Sequence, residues 1–367
     1  MFYGCTVFNS DISGWDISNV TDIQEMFYGA EAFNRNIGNW NISNITSFNG
    51  LFRGATNFDQ PIGSWDTANI NNMSYIFYEA TNFNQDITNW NTSNVGGFFA
   101  AFAQATSFNQ DISTKTVNAG QPDEYTAWDV SNVTQFGSMF AGADAFNQDI
   151  SNWDISSAVF IDRMFEGTNL FNQPVGVWNT SNVQRMARVF SGAQVFDQNL
   201  GNWDVSNVTG TANDTGFYRM FNSAPVFNNS GSADINNWRF NTSSAYTMRE
   251  MFWNAAAFNQ PIQDWNVVSC SDMYQMFNGA TSFDQDLGSW NIGNVTDMTG
   301  MFDGSGMSKI NYSQTLQGWE GTAASTGVQS GVTVGASGVE YNTAGSASRA
   351  YLISNYSWNF VGDLYVP

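Results

Sequence analysis

The chain has 367 residues, of which 42% are hydrophobic, 16% aromatic and only 12% charged. With 11 Lys+Arg against 32 Asp+Glu the formal net charge is −21, and there is no His. Two or three domains of about 150 residues would fit this length. The charge excludes a backbone-binding nucleic-acid protein, which needs a basic surface. The missing His excludes His-ligated metals and His-based acid–base chemistry. No run of 18 apolar residues is present to span a membrane as a helix, and the aromatic content argues against disorder.

The first complete unit runs from Phe8 to Ala30. Trp15 and Ile17 are two apart, the strand period, which predicts a short strand over 15–18. Val20, Ile23, Phe27 and Ala30 then step by three and four, which predicts a short helix over 19–30, with Asn19 and Asp22 as its N-cap pair. Gly29-Ala30 and counterparts such as Gly54-Ala55 end that helix, and a loop such as Phe33-Asn34-Arg35-Asn36 returns the chain. Upstream, Met1-Phe2-Tyr3-Gly4-Cys5 already matches the second half of a unit and no signal peptide precedes it. The expectation is a fragment of a longer chain, or an uncapped N-terminal end that a partner or a second copy covers.

Trp then recurs at 15, 40, 65, 90, 128, 153, 178, 203, 238, 265 and 290. This is an eleven-fold repeat of a 25-residue unit, and Phe27, Phe52, Phe77 and their counterparts move in step. Insertions interrupt it at 113–125, 209–216 and 229–233, and such insertions emerge as edge loops that carry individual function. One unit cannot bury its own Trp and Phe, but stacked units can. At about 5 Å per coil, eleven units predict a rod about 55 Å long. Residues 305–367 break the period. They predict a helix near 312–319, a Gly/Ser-rich loop, a strand pair around 332–341, a helix over 346–354 and a last strand near 358–361.

The spacing Ile12-x-x-Trp15-x-Ile17-x-x-Val20 matches the leucine-rich repeat, with Trp and β-branched residues in place of Leu. With Met26-Phe27-Tyr28-Gly29-Ala30, Phe33-Asn34 and Trp40-Asn41-Ile42-Ser43-Asn44, the unit resembles the BspA-like leucine-rich-repeat surface proteins, first labelled Mycoplasma lipoproteins of unknown function. The resemblance covers about 1–304. Leu316-x-Gly318-Trp319, Gly331-Val332-Thr333, Arg349-Ala350-Tyr351-Leu352-Ile353 and Trp358-Asn359-Phe360 resemble the segment closing such arrays in marine bacterial members. The fold expectation is therefore an α/β solenoid. It is a leucine-rich-repeat-like right-handed coil array over 1–304, one strand and one helix per repeat, with a C-terminal α+β cap over 305–367. The resemblance implies an extracellular or cell-surface location and an adhesive or recognition role.

Candidate sites follow from the columns. If Trp15 and Ile17 point inward, the next-door column points outward. It reads Asp16, Asn41, Asp66, Asn91, Asp129, Asp154, Asn179, Asp204, Arg239, Asn266 and Asn291. Such a polar stripe on a strand face offers hydrogen bonds to sugar hydroxyls or, alternatively, oxygen ligands to Ca²⁺; equally, its members bond each other and nearby backbone and only hold the stack. No calcium-loop motif is present. A second Asn/Asp ladder (Asn9, Asn34, Asp59, Asn84 and onward) is read as structural loop chemistry. Nine of the eleven cations are Arg. Arg163, Arg188 and Arg219 occupy one column in successive coils, with Arg185 and Arg249 nearby; they either dock an anionic partner or pair locally with Asp162, Glu166 and Glu250. Tyr3, Tyr28, Tyr78 and Trp253 share an outward column broken at Arg53 and Ala103. The sequon-like Asn19, Asn132, Asn207 and Asn294 are read as helix caps. Cys5 and Cys270 are read as buried thiols too far apart to pair.

No phosphate loop, nucleophile elbow or converging acid pair appears, so no enzyme and no cofactor is expected. The functional expectation is a surface or secreted recognition protein that binds a glycan or protein through its polar face and edge loops. The alternative is a structural subunit of a surface assembly, filament or virion appendage.

Overall fold

The computed structural model describes residues 1–367, which divide into two compact units, Met1–Asn182 and Val183–Pro367. Each is a repeat, solenoid-like stack of coils. Neither the helix over 19–30 nor the strand over 15–18 forms. The coil is a succession of β-turns instead. Trp15 N donates to Ile12 O, Val20 to Ile17, Met26 to Ile23, Tyr28 to Glu25, Ala30 to Phe27 and Phe33 to Ala30. A three-residue turn step places apolar side chains at intervals of three and four, so over a dozen residues it imitates the helical period.

The remaining N–H groups leave the coil. Glu25, Phe27 and Gly29 donate to Asn49, Leu51 and Arg53 of the next coil at 2.7–3.0 Å, and Gly50, Phe52 and Gly54 repeat the pattern toward Ser74, Ile76 and Tyr78. Alternate groups therefore close a turn and bridge to the neighbour. That alternation needs left-handed backbone twice per coil. It occurs at Glu25 (φ 51°), Gly50, Tyr75, Ala100 and Ser138, and again four residues on at Gly29, Gly54, Glu79, Gln104 and Gly142. Gly dominates the second column because it alone adopts φ > 0 without a Cβ penalty. The Gly-Ala pairs are turn devices and not helix ends.

Stacked aromatics fill the first unit's core. Phe27, Phe52 and Phe77 lie face to face at 5.7 Å with interplanar angles of 2–3°, and Phe33, Phe58 and Phe83 form a parallel column at 5.8–6.1 Å. All six are fully buried. Each contributes about 1.5–3 kcal/mol by burial and about 0.5–1.5 kcal/mol by ring contact. From the second coil on, the Trp is also anchored: the Nε1 of Trp40, Trp65 and Trp90 donates to the carbonyls of Ile12, Ile37 and Ile62 at 3.3 Å, one coil back. Parallel bridges fall at Ser47–Asn72, Gly97–Gln135 and Gln135–Phe160, inside the segment expected to be helical. The 113–125 insertion forms an antiparallel hairpin, β1 (Lys115–Val117) with β2 (Tyr125–Ala127).

In the second unit Phe190, Phe221, Phe252 and Phe277 continue the same stacking at 5.4–5.8 Å. Short 3-10 turns lie at Asn229–Gly231 and Ala233–Asn237, and β3 (Tyr246–Thr247) pairs in parallel with β4 (Cys270–Asp272). After Gly304 come α1 (Lys309–Thr326), β5 (Thr333–Gly335), β6 (Glu340–Tyr341), α2 (Thr343–Tyr356), β7 (Asn359–Val361) and β8 (Leu364–Tyr365). The strands expected to pair with each other do not: β5 pairs with β7 and β6 with β8, both parallel. This segment imitates a coil. Trp319 on α1 donates Nε1 to Leu287 O at 3.1 Å, as a coil Trp would, and Phe302 N donates to Gly335 O of β5 at 2.9 Å. Cys270 is buried and Cys5 is exposed, against expectation for the latter, because no coil covers its face; neither is disulfide-bonded.

The two left-handed columns give opposite substitution effects. Gly54→Ala (φ 68°, with Gly29 backbone 3.4 Å from the added Cβ) lowers stability by about 1 kcal/mol, whereas Glu25→Gly, at an exposed left-handed residue, raises it by about 0.5 kcal/mol. The sign follows from whether a Cβ is added or removed at a left-handed residue, and chemical-denaturation midpoints of the two variants check it.

Candidate functional site

The outward Asp column sits on turns and not on a strand face. In the first unit one carboxylate oxygen of Asp16, Asp66, Asp129 and Asp154 accepts the N–H two residues on, from Ser18, Ala68, Ser131 and Ser156, at 2.9–3.1 Å. In the second unit Asp204 accepts from Ser206 at 2.9 Å. The Ser156 hydroxyl and N–H hold the Asp154 carboxyl below its ordinary range. Asn41, Asn91 and Asn291 make the same bond. Its Asp and Asn members therefore need only an acceptor, which explains why the two interchange; Arg239 is the exception, its guanidinium donating to Asn236 O and Trp238 O.

The sequon-like Asn column has the opposite demand. With no helix to cap, Asn132 and Asn294 donate Nδ2 to Ser93 O and Val268 O of the preceding coil at 2.9 and 2.8 Å. Asn44, Asn69 and Asn94 do likewise. The loop ladder is a chain of acceptors: Asp59 N donates to Asn34 Oδ1 and Asn84 N to Asp59 Oδ1, both at 3.0 Å.

One member of the Asp column is drawn into a cleft. The β1–β2 hairpin leans over the third and fourth coils and roofs a space of about 550 Å³ lined by Ser64, Trp65, Asp66, Asn89, Asn91, Asn118, Asp123, Glu124 and Tyr125. Its root is closed on itself and tied to the following coil. Thr114 donates Oγ1 to Trp128 O at 2.8 Å, and Asn152 donates Nδ2 to Thr114 O at 2.8 Å. Its tip is braced by Asn118 Nδ2 to Asp123 Oδ2 and Gly120 N to Glu124 Oε2. Tyr125 donates its hydroxyl to Asn89 O at 2.5 Å. Burial, then the Asp66 and Asp123 carboxylates, push that phenol up, so it stays protonated at neutral pH. No group of three His, Cys, Asp or Glu converges here or elsewhere for a metal. Asp129 and Asp154 lie outside this cleft. Asp16 lines a separate space of about 620 Å³ beside Met1 and Trp15.

The arginines stand among carboxylates and rings. In the first unit Arg163 lies 3.7 Å from Glu166. In the second, Arg188 pairs with Asp214 at 2.8 Å, Arg219 with Glu250 at 2.6 Å, and Arg249 with Glu250 and Asp272. Arg188 and Arg219 also lie over the Tyr218 ring at 5.1 Å, and Arg219 is 6.0 Å from Trp253. Their charge is answered locally. The break expected at Arg53 in the tyrosine row is filled by Arg53 itself, 4.9 Å from Tyr28 and 4.8 Å from Tyr78. Sequence reading marked the hairpin only as an insertion. Asn118, Asp123, Glu124 and Tyr125 carry no periodic signal, so nothing tied them to Asp66.

A family model described as "Mycoplasma protein of unknown function, DUF285" matches residues 1–115, 114–233 and 215–327. No curated protein matches. Among solved structures, an internalin from Listeria monocytogenes is similar at 9% identity and a TM-score of 0.20, over 95% of this chain and 73% of that one.

The Asn and Asp columns respond oppositely to the same one-atom exchange. Asn132→Asp puts an acceptor against the Ser93 carbonyl and lowers stability by about 1–2 kcal/mol, while Asp154→Asn keeps its acceptor and changes stability by less than about 0.5 kcal/mol. Thermal unfolding of the two variants at neutral pH checks this.

Proposed function

We propose a recognition role for this chain, which belongs to the DUF285 family of Mycoplasma-type proteins of unknown function. It acts without catalysis, as a surface-exposed or secreted protein whose coil stack presents a polar turn face and edge loops to a glycan or protein. One observation carries the reading: the hairpin leaves the repeat, is tied to the preceding coil at Asn89 and to the following one at Asn152, and overhangs a polar cleft over Asp66 and Asn91. A stack held only for its own sake needs no such roof, and insertions on repeat scaffolds are where individual binding sites are built. The family supplies no activity, and its repeat character favours binding over chemistry. No helix is long and apolar enough to cross a membrane. Arg163, Arg188 and Arg219, each beside a carboxylate, offer no excess of positive charge to an anionic partner.

The experiment compares beads coated with the full chain and with a variant whose 13-residue insertion, 113–125, is removed to restore the 25-residue spacing. Full-chain beads adhere to cells or extracellular material and hairpin-less beads adhere at least about tenfold less. Equal adhesion by both overturns the reading. Concentration-dependent polymers in light scattering, with no adhesion, replace it with a structural subunit.

A further inference from the structure

We propose that the cleft under the β1–β2 hairpin binds a short oligosaccharide without acidic groups, its rings neutral or carrying an amino group. This rests on the recognition reading above and assigns the ligand class. The cleft's size, about 550 Å³, is that of a small-ligand site. The lining decides what enters. It contains three carboxylates (Asp66, Asp123, Glu124), three amides (Asn89, Asn91, Asn118), the Tyr125 phenol and no Lys or Arg. The carboxylates lining it repel sulfated or uronic sugars, because an anion there meets like charge in a partly desolvated space, while Lys115 on β1 lies outside the lining and acts on Asp86 and Asp111. A lipid or an apolar side chain finds little hydrocarbon: the apolar lining is Ala68, the Tyr125 ring and Trp65, and Trp65 is itself core. Fixed planar amides and carboxylates match a polyol, which presents many hydroxyls that both donate and accept.

The cleft also has a direction. An adjoining space of about 280 Å³ shares Gly63, Ser64 and Asn89 with it and adds Pro61, Gln85 and Asp86. A chain of rings fits two connected spaces better than one ring does. The walls are prepared in advance. Asp66 is oriented by Ala68 N, Asp123 by Asn118, Glu124 by Gly120, and the hairpin is held down by Tyr125 to Asn89. Little ordering entropy then remains for binding to spend.

The test is a glycan array probed with the full chain. It spans neutral, N-acetylated, amino, uronic and sulfated oligosaccharides, and is read beside two variants. Asn89→Trp fills the junction of the two spaces. Asn39→Trp places the same bulk at the equivalent turn of the second coil, outside them. That turn position carries Gly14, Val177 and Asp264 in other coils, so the fold accepts varied side chains there. Neutral or amino oligosaccharides bind the full chain, Asn89→Trp weakens them at least about tenfold, and Asn39→Trp leaves them unchanged. Binding confined to acidic glycans, or indifferent to Asn89→Trp, overturns the proposal. A protein partner retained in a hairpin-dependent way, such as one docking a lysine-rich segment, with no glycan bound, overturns the oligosaccharide assignment and leaves the recognition reading standing. If hairpin removal also abolishes nothing on beads, both fall.

Discussion

The structure depends on where each backbone N–H goes. A helix would spend all of them inside one coil, and a sheet all of them between coils. Here they alternate: Met26, Tyr28 and Ala30 close turns, while Glu25, Phe27 and Gly29 reach the next coil. Every coil is thereby satisfied within itself and tied to its neighbour in the same stretch, which answers the requirement that buried backbone be paired. The left-handed residues at 25 and 29 are the cost of this alternation, and the phenylalanine stacks are what make it worthwhile. With Phe27, Phe52 and Phe77 about 5.7 Å apart and nearly parallel, the rings fix the same spacing that the hydrogen bonds require.

Polar columns are organised by that spacing too. Because equivalent residues of adjacent coils lie side by side, a side chain can serve the backbone of its neighbour. Asn132 does so as a donor and Asn34 as an acceptor. The chemistry of each column shows in its tolerance. Acceptor columns mix Asp with Asn, and the donor column never contains Asp. Much of the surface amide and carboxylate that looks available for ligands is therefore engaged in holding coils together. A binding site on such a scaffold has to come from something outside the repeat, which is why the proposed one rests on the hairpin.

How much was legible follows from these same elements. The coil boundaries and the core columns are readable because hydrophobic burial demands the same side chain at each 25-residue step. The Lys309–Thr326 and Thr343–Tyr356 helices are longer than expected but lie where expected. The coil's internal conformation was misread, since turns of three and a helix of 3.6 residues place Val20, Ile23, Phe27 and Ala30 alike on one side. One signal separates them: Gly50 and Gly300 stand in mid-segment, where a helix disfavours glycine, whereas Gly29, Gly54 and Gly142 fall where a helix end would also place it. At Glu25, Tyr75 and Arg163, residues with a Cβ adopt left-handed backbone, and no composition rule announces that.

The sequence alone determined that this is a repeat with an aromatic core, a weakly charged amide surface and a distinct closing segment, because periodic burial writes itself into periodic residues. Only the tertiary structure decided how the coil is bonded, which column donates and which accepts, and that Arg188 and Arg219 face carboxylates rather than open solvent. It alone also brought Asp66 beneath Tyr125, since those residues are joined by the path of one unrepeated hairpin across two coils, and a contact made once leaves no period to read.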